Sequence, residues 1–207
     1  MKFTSIILII FIILIILIIL ILRRIILLFM LRKTIRKLFM RVITQFEEND
    51  VKYWTDFGTL LGITREHDII MGDNDADVCI VPTSENIENC KKVVENMGGE
   101  YLEWGAFRVY DGDVFIDIYV PSIIDNQYKN PTGEMIDIDM IQPIQKKQIK
   151  LCEDTIVISV PSKIENVLVS RYGENWTKNS RNWYTLYTDS NKNSLNIFDF
   201  LLGRDLS

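Results

Sequence analysis

Y-W-T-D-F-G-T-L-L-G-I-T-R-E-H-D-I-I-M-G-D-N-D-A-D-V-C-I-V, residues 53 to 81, is the most informative run in this chain of 207 residues. It holds a Gly-Thr turn, a short helical piece and an arginine, followed by Asp73, Asp75 and Asp77 leading into an apolar strand. Side chains two apart on a strand share a face, so the alternation predicts three carboxylates on one side. Such a row repels itself unless a cation sits within it. Hard divalent ions with oxygen ligands, Mg²⁺ or Mn²⁺, suit that arrangement. The competing reading is a solvated acidic turn, since Asp and Asn supply many turns.

Downstream, Val114-Phe115-Ile116-Asp117-Ile118-Tyr119-Val120 sets one carboxylate in an otherwise apolar strand. A buried carboxylate needs a partner, because leaving it unpaired costs several kcal/mol. A neighbouring strand carrying Asp75 and Asp77, with a shared metal, would supply one. A salt bridge to Arg108 or Lys146 would supply another. A strand with two carboxylates, a third on a neighbouring strand and an upstream Gly-Thr turn resemble the core of the nucleotidyltransferase fold.

The resemblance extends to a family. The W-x-x-x-G-T-L-L-G-x-x-R segment, Trp54 to Arg65, and the segment Ile70 to Asp77 match hallmarks of the LicD/fukutin phosphotransferases. So do the strand Val114–Ile118 and the element Pro161, Leu168, Tyr172, Gly173 and Trp176. Two departures stand out: Met71-Gly72 replaces the usual Pro-Trp, and Asn74 lies between two of the aspartates. The resemblance implies an α+β fold, a nucleotidyltransferase-like mixed sheet flanked by helices. It implies transfer of a phosphorylated alcohol, such as phosphocholine or a polyol phosphate, from a CDP-activated donor to a sugar hydroxyl of a glycan or glycoconjugate. Asp75 and Asp77 are then the metal pair, and Asp73 a further ligand of the metal or its water. Asp117 is a metal ligand and the base for the acceptor hydroxyl. Gly58 and Thr59 set backbone N–H groups against donor phosphate at a helix start. Arg65 and Arg108 neutralise phosphate, with ordinary ion pairs as the alternative.

Upstream of residue 53 the chain changes character. Phe3 to Leu22 is nearly unbroken Ile, Leu and Phe, long enough to cross a bilayer as a helix. Its length and the lack of a small-residue cleavage site favour a retained anchor over a signal peptide. Residues 25–46 read as a helix with Ile35, Leu38, Phe39, Val42, Ile43 and Phe46 on a stripe that packs against the following domain. The expected division is an anchor at 1–24, a basic juxtamembrane helix at 25–46 and a catalytic domain at 47–207. Residues 1–46 carry eight Lys and Arg and no acid, so they hold +8; with a net charge of −5 overall, the remainder holds −13. The basic part suits anionic lipid headgroups, and by the positive-inside tendency it sets the catalytic domain in the cytosol. The acidic remainder excludes nucleic acid as a partner.

Other residues narrow the chemistry. His67 is the only histidine, which removes a His-based triad or a zinc site. Cys79, Cys90 and Cys152 lack metal or redox spacing and read as buried thiols. Trp54, Trp104, Trp176 and Trp183 read as core residues. Helices are expected over 58–66, 84–97 and 161–172, strands over 77–81, 100–104, 107–110, 114–120 and within 148–160, and a loop over 126–140. Two rival functions fit fewer of these residues. A D-x-D glycosyltransferase explains the anchor and the aspartates but not G-T-L-L-G or Asp117. A non-catalytic relative leaves four aspartates without a purpose.

Overall fold

The computed structural model describes residues 3–151 and 153–178. Cys152 and Trp183 lie outside them. The first helix, α1, runs unbroken from Phe3 to Glu48, through both positions where the anchor and the juxtamembrane helix are expected to end. Its early part is long and apolar enough to cross a membrane, with a mean hydropathy of 3.2. Its side chains from Ile7 to Leu22 are almost all exposed.

Leu31–Lys178 forms a compact unit. Within it, Ile35, Leu38, Phe39, Val42, Ile43 and Phe46 are fully buried in the core, as their spacing predicts. The arginines between them do not all wait for lipid. Arg36 forks onto Asp68, and Arg32 reaches the same carboxylate and the carbonyl of Ile69.

The fold is α+β. After α1 come β1 (Tyr53–Thr55), α2 (Phe57–Arg65), β2 (Asp75–Ile80), α3 (Ser84–Asn96), β3 (Glu100–Leu102), β4 (Ala106–Asp111) and β5 (Val114–Tyr119). The five strands form one sheet in the order β1-β2-β5-β4-β3. Only β2 and β5 run parallel; the other pairs are antiparallel, so the sheet is mixed. Alternation sorts its faces. Ala76, Val78, Ile80, Ile116 and Ile118 are buried on one side, while Asp75, Asp77, Asp117 and Tyr119 occupy the other. Helix α3 packs against β2, β3 and β4, and α2 against β2. Thr83 caps α3 by accepting a hydrogen bond from the backbone N–H of Asn86. The β4–β5 hairpin turns at Gly112, whose φ of 63° suits glycine.

Three expectations need correction. Strand β2 begins at Asp75, so Asp73 lies in the turn before it rather than on the strand. The stretch 126–140 is not a loop. With the residues before it, it forms a small antiparallel sheet, β6 (Ser122–Ile124), β7 (Gln127–Lys129) and β8 (Met135–Asp137), and the helical turn α4 (Ile138–Ile141). Asp125 and Asn126 both have positive φ, the backbone of a two-residue hairpin turn. The strands are short and largely exposed, so they leave little hydrophobic alternation to read. Finally, α5 (Ile164–Tyr172) starts at Lys163 without a side-chain cap instead of at Pro161-Ser162, and closes at Gly173 as expected. Before it, β9 (Gln145–Leu151) and β10 (Asp154–Val160) form a hairpin, with β10 against β1.

Candidate active site

The site grows from strand register. Asp77 stands opposite Asp117 in the parallel β2–β5 pair, and Arg108 opposite Asp117 in the β4–β5 pair. Glu100 stands opposite Arg108 at the edge. One row therefore crosses four strands with the charges minus, minus, plus, minus. Carboxylate oxygens of Asp75, Asp77 and Asp117 lie within 4.8 Å of one another. Asp77 is only 7% exposed and Asp117 only 4%. Burial, then Asp75, Asp117, Asp56 and Asp73, push the Asp77 carboxyl well above the usual carboxylate range. A largely buried set of oxygen donors, Asp77 and Asp117 buried and Asp75 partly so, fits a hard divalent cation.

Asp117 takes its protein partner from one of the expected sources. Arg108 Nε donates to Oδ1 at 2.5 Å and Nη2 to Oδ2 at 2.8 Å. The guanidinium lies 3.9 Å over the Phe115 ring. Its pKa is raised, first by the hydrogen bond to Asp117. Lys146 goes elsewhere, to Glu47 and Ser159. Tyr119 donates its hydroxyl to Asp77 Oδ1 at 3.3 Å. Burial and the nearby carboxylates raise the phenol's pKa, which keeps the donor protonated.

The turn before α2 shapes the other wall. A Cβ on Gly58 would lie 3.6 Å from an oxygen of Asp73 and 3.6 Å from one of Asp77. Glycine thus leaves open a space that a side chain would fill. Thr59 Oγ1 accepts from the backbone N–H of Asp77 at 2.7 Å, tying α2 to β2. Asn74 joins the ladder through its carbonyl, which accepts from Phe115 N at 3.0 Å. Arg65 is not drawn into the acidic cluster; its charge partner is Glu66, at 2.7 Å.

Two residues that sequence reasoning passed over hold this turn. Asp56, fully buried, caps α2 by accepting from Phe57 N at 2.8 Å. It also accepts from Trp54 Nε1 at 3.0 Å and from both arms of Arg171 in α5, at 3.0 and 2.7 Å. Arg171 in turn lies 3.9 Å over the Phe57 ring. Phe57 has φ +48°, a strained backbone worth about 1–3 kcal/mol that such packing must hold. Asp56 sits inside the Trp54–Arg65 segment, and Arg171 beside Tyr172-Gly173. Proximity to those motifs was the only signal for them.

Trp54 is buried as expected, and Trp176 packs partly against the core. Trp104 departs from expectation. It is 43% exposed and lies 5.7 Å from the Tyr119 ring, itself 5.0 Å from Phe57. Cys79 and Cys90 are buried free thiols with pKa pushed up by burial. His67 lies in the turn after α2, with φ 57°.

The family model described as the LicD/FKTN/FKRP nucleotidyltransferase domain matches residues 50–157. That span holds the acidic cluster and both walls of the site. A sequence comparison with curated proteins gave no match. Among solved structures, the antibiotic-resistance factor ANT(2″)-Ia in solution is 18% identical, over 64% of this chain and 69% of that one, with a TM-score of 0.44. A crystal structure of ANT(2″)-Ia in complex with adenylyl-2″-tobramycin is 17% identical, over 61% and 68%, with a TM-score of 0.40.

Proposed function

Because the chain belongs to the LicD/FKTN/FKRP nucleotidyltransferase family, we propose that it moves a phosphorylated alcohol from a CDP-activated donor to a sugar hydroxyl of a glycan or glycoconjugate. The transferred group is phosphocholine-like or polyol-phosphate-like. The observation that carries this reading is the meeting of Asp75, Asp77 and Asp117 across two parallel strands.

In this reading Asp75, Asp77 and Asp117 hold Mg²⁺ or Mn²⁺, with Asp73 adding a ligand across the space that Gly58 leaves. A bound cation neutralises charge on the transferring phosphoryl group and orients the acceptor hydroxyl. The backbone at Gly58 and Thr59 meets donor phosphate at the start of α2. Tyr119 keeps Asp77 aimed into the cluster. Asp117 takes the proton of the acceptor hydroxyl as that oxygen bonds to phosphorus and the bond to the CMP leaving group breaks. Both Asp117 oxygens rest on Arg108 beforehand, so one of those hydrogen bonds is given up. The freed guanidinium is then available to the phosphate.

A nucleotide-sugar glycosyltransferase would use Asp75 and Asp77 but has no task for Asp117 or the G-T-L-L-G turn. Calorimetric titration with Mn²⁺ plus CDP, and separately with Mn²⁺ plus UDP, tests the choice. Tighter binding of CDP, followed by turnover of a CDP-alcohol in a donor screen, supports the proposal. A preference for UDP, or no metal-dependent nucleotide binding, overturns it.

A further inference from the structure

We propose that Arg32 and Arg36, on the juxtamembrane half of α1, are positioning residues for the cation site and that Asp68 is the handle they grip. The proposal rests on the metal reading above and adds a part of the molecule that this reading does not use.

The contacts are specific. Arg36 Nε donates to Asp68 Oδ1 at 2.6 Å, and its Nη2 meets Oδ2. Arg32 Nη2 lies 3.2 Å from the same Oδ2, and Arg32 Nε donates to the carbonyl of Ile69 at 2.6 Å. The side chains of Arg32, Arg36 and Asp68 are only 13%, 16% and 16% exposed. A forked guanidinium–carboxylate pair fixes direction as well as distance, and here it is largely out of water.

What the clamp holds is the segment from Glu66 to Asp73, which carries Asp73 and delivers Asp75 to β2. This segment has little regular structure. Its first residue is held by a short bond, Glu66 N to Gly62 O at 2.7 Å, but the backbone bonds after it are long, Asp68 N to Gly62 O at 3.4 Å and Asp73 N to Ile70 O at 3.3 Å. Two of its residues, His67 and Gly72, have positive φ. The segment is also restrained by the burial of Ile69 and Ile70, by the ion pair of Glu66 with Arg65 at 2.7 Å, and by a close approach to α2, where a Cβ on Gly62 would meet the Asp68 carbonyl at 2.6 Å. Asp73 lies five positions after Asp68, a reach of at most about 18 Å. Fixing one end of so short a tether restricts where its carboxylates stand. That matters because carboxylate oxygens of Asp75, Asp77 and Asp117 lie within 4.8 Å of one another, where like charges drive them apart.

Positioning and simple electrostatics give opposite signs, which makes the idea testable. Removing two positive charges near a cation site should tighten cation binding if charge alone acts. Loss of positioning should weaken it, by about tenfold or more, as for other residues that orient metal ligands. The experiment uses the full chain in detergent micelles. Mn²⁺ affinity is read from the free-ion paramagnetic resonance signal, and melting temperature is measured without metal.

Arg32→Gln/Arg36→Gln is expected to weaken Mn²⁺ by about tenfold. Arg36→Lys, which keeps the charge but loses the fork, should fall between it and wild type and serves where the double variant fails to fold. Lys33→Gln/Lys37→Gln removes equal charge from the same helix and should leave affinity unchanged or slightly tighter. Unchanged or tighter Mn²⁺ binding in both clamp variants overturns the proposal, whatever happens to melting. If wild type itself shows no Mn²⁺ binding that Asp77→Asn abolishes, the metal reading fails and takes the clamp with it.

Discussion

At the scale of single residues, the site is a set of carboxylates whose charges are costly without a partner. Asp77 makes this measurable through pH. Its folded-state pKa is raised, so the native protein holds that proton more tightly than the unfolded chain does. As pH climbs from the usual carboxylate range through the raised value, the metal-free protein should therefore lose stability. If the cluster holds Mn²⁺ as proposed, the ion would displace the proton over the same window, so metal affinity should climb. Asp77→Asn should flatten both profiles, be at least as stable as wild type without metal at neutral pH, and lose the metal-induced rise in melting temperature. Thermal melts across pH, with and without Mn²⁺, check all of these. Asp56 and Arg171 act differently. Arg171→Met strands a fully buried carboxylate and should cost about 3–5 kcal/mol in urea unfolding. Asp75 and Asp77 were legible from their alternation into an apolar strand, and Asp117 because it interrupts one with charge. The Asp56–Arg171 bond was not, since 115 residues separate its partners and neither residue type is unusual where it stands.

At the scale of elements, apolar spacing carried most of the reading. The α1 stripe, α3 with its threonine cap and the β4–β5 hairpin all follow from period and turn chemistry. The sheet β6-β7-β8 escaped because short, exposed strands show almost no alternation. The strand expected at 77–81 starts two residues earlier, at Asp75, while the strand-like alternation does not extend to Asp73, because Gly72, at φ 97°, keeps the chain turning just before it. The buried stripe on α1 also bears on where the catalytic unit begins. Deleting residues 1–24 should leave a folded protein that sediments less with membranes. Deleting 1–46 removes six fully buried apolar side chains. At about 1.5–3 kcal/mol each, that loss matches or exceeds the whole stability of an ordinary domain. The longer deletion should therefore be insoluble or unfolded by circular dichroism. A folded, soluble product would show that α1 is dispensable.

At the scale of the whole molecule, a strongly apolar helix is joined to an acidic unit through a basic stretch. We expect the basic flank to keep the unit on the cytosolic side of the membrane. Protease added to sealed microsomes should then digest it. Protection of the unit, or glycan addition at Asn175 in the sequon Asn175-Trp176-Thr177, would set it in the lumen. The row Asp77, Asp117, Arg108 has a consequence at this scale too. On the proposed function, Arg108 would serve as a substitute cation on Asp117 when metal is absent, tethered to β4 by a side chain long enough to swing. A donor phosphate that draws Arg108 away leaves Asp117 in want of an ion, and an ion on Asp117 releases Arg108 for the phosphate. Metal and nucleotide should accordingly recruit one another, each raising the other's affinity by the same factor. A double titration of Mn²⁺ and CDP would read this factor, and Arg108→Gln should bring it close to one. An enzyme wired in this way would stay idle when only one of the two proposed ligands is at hand.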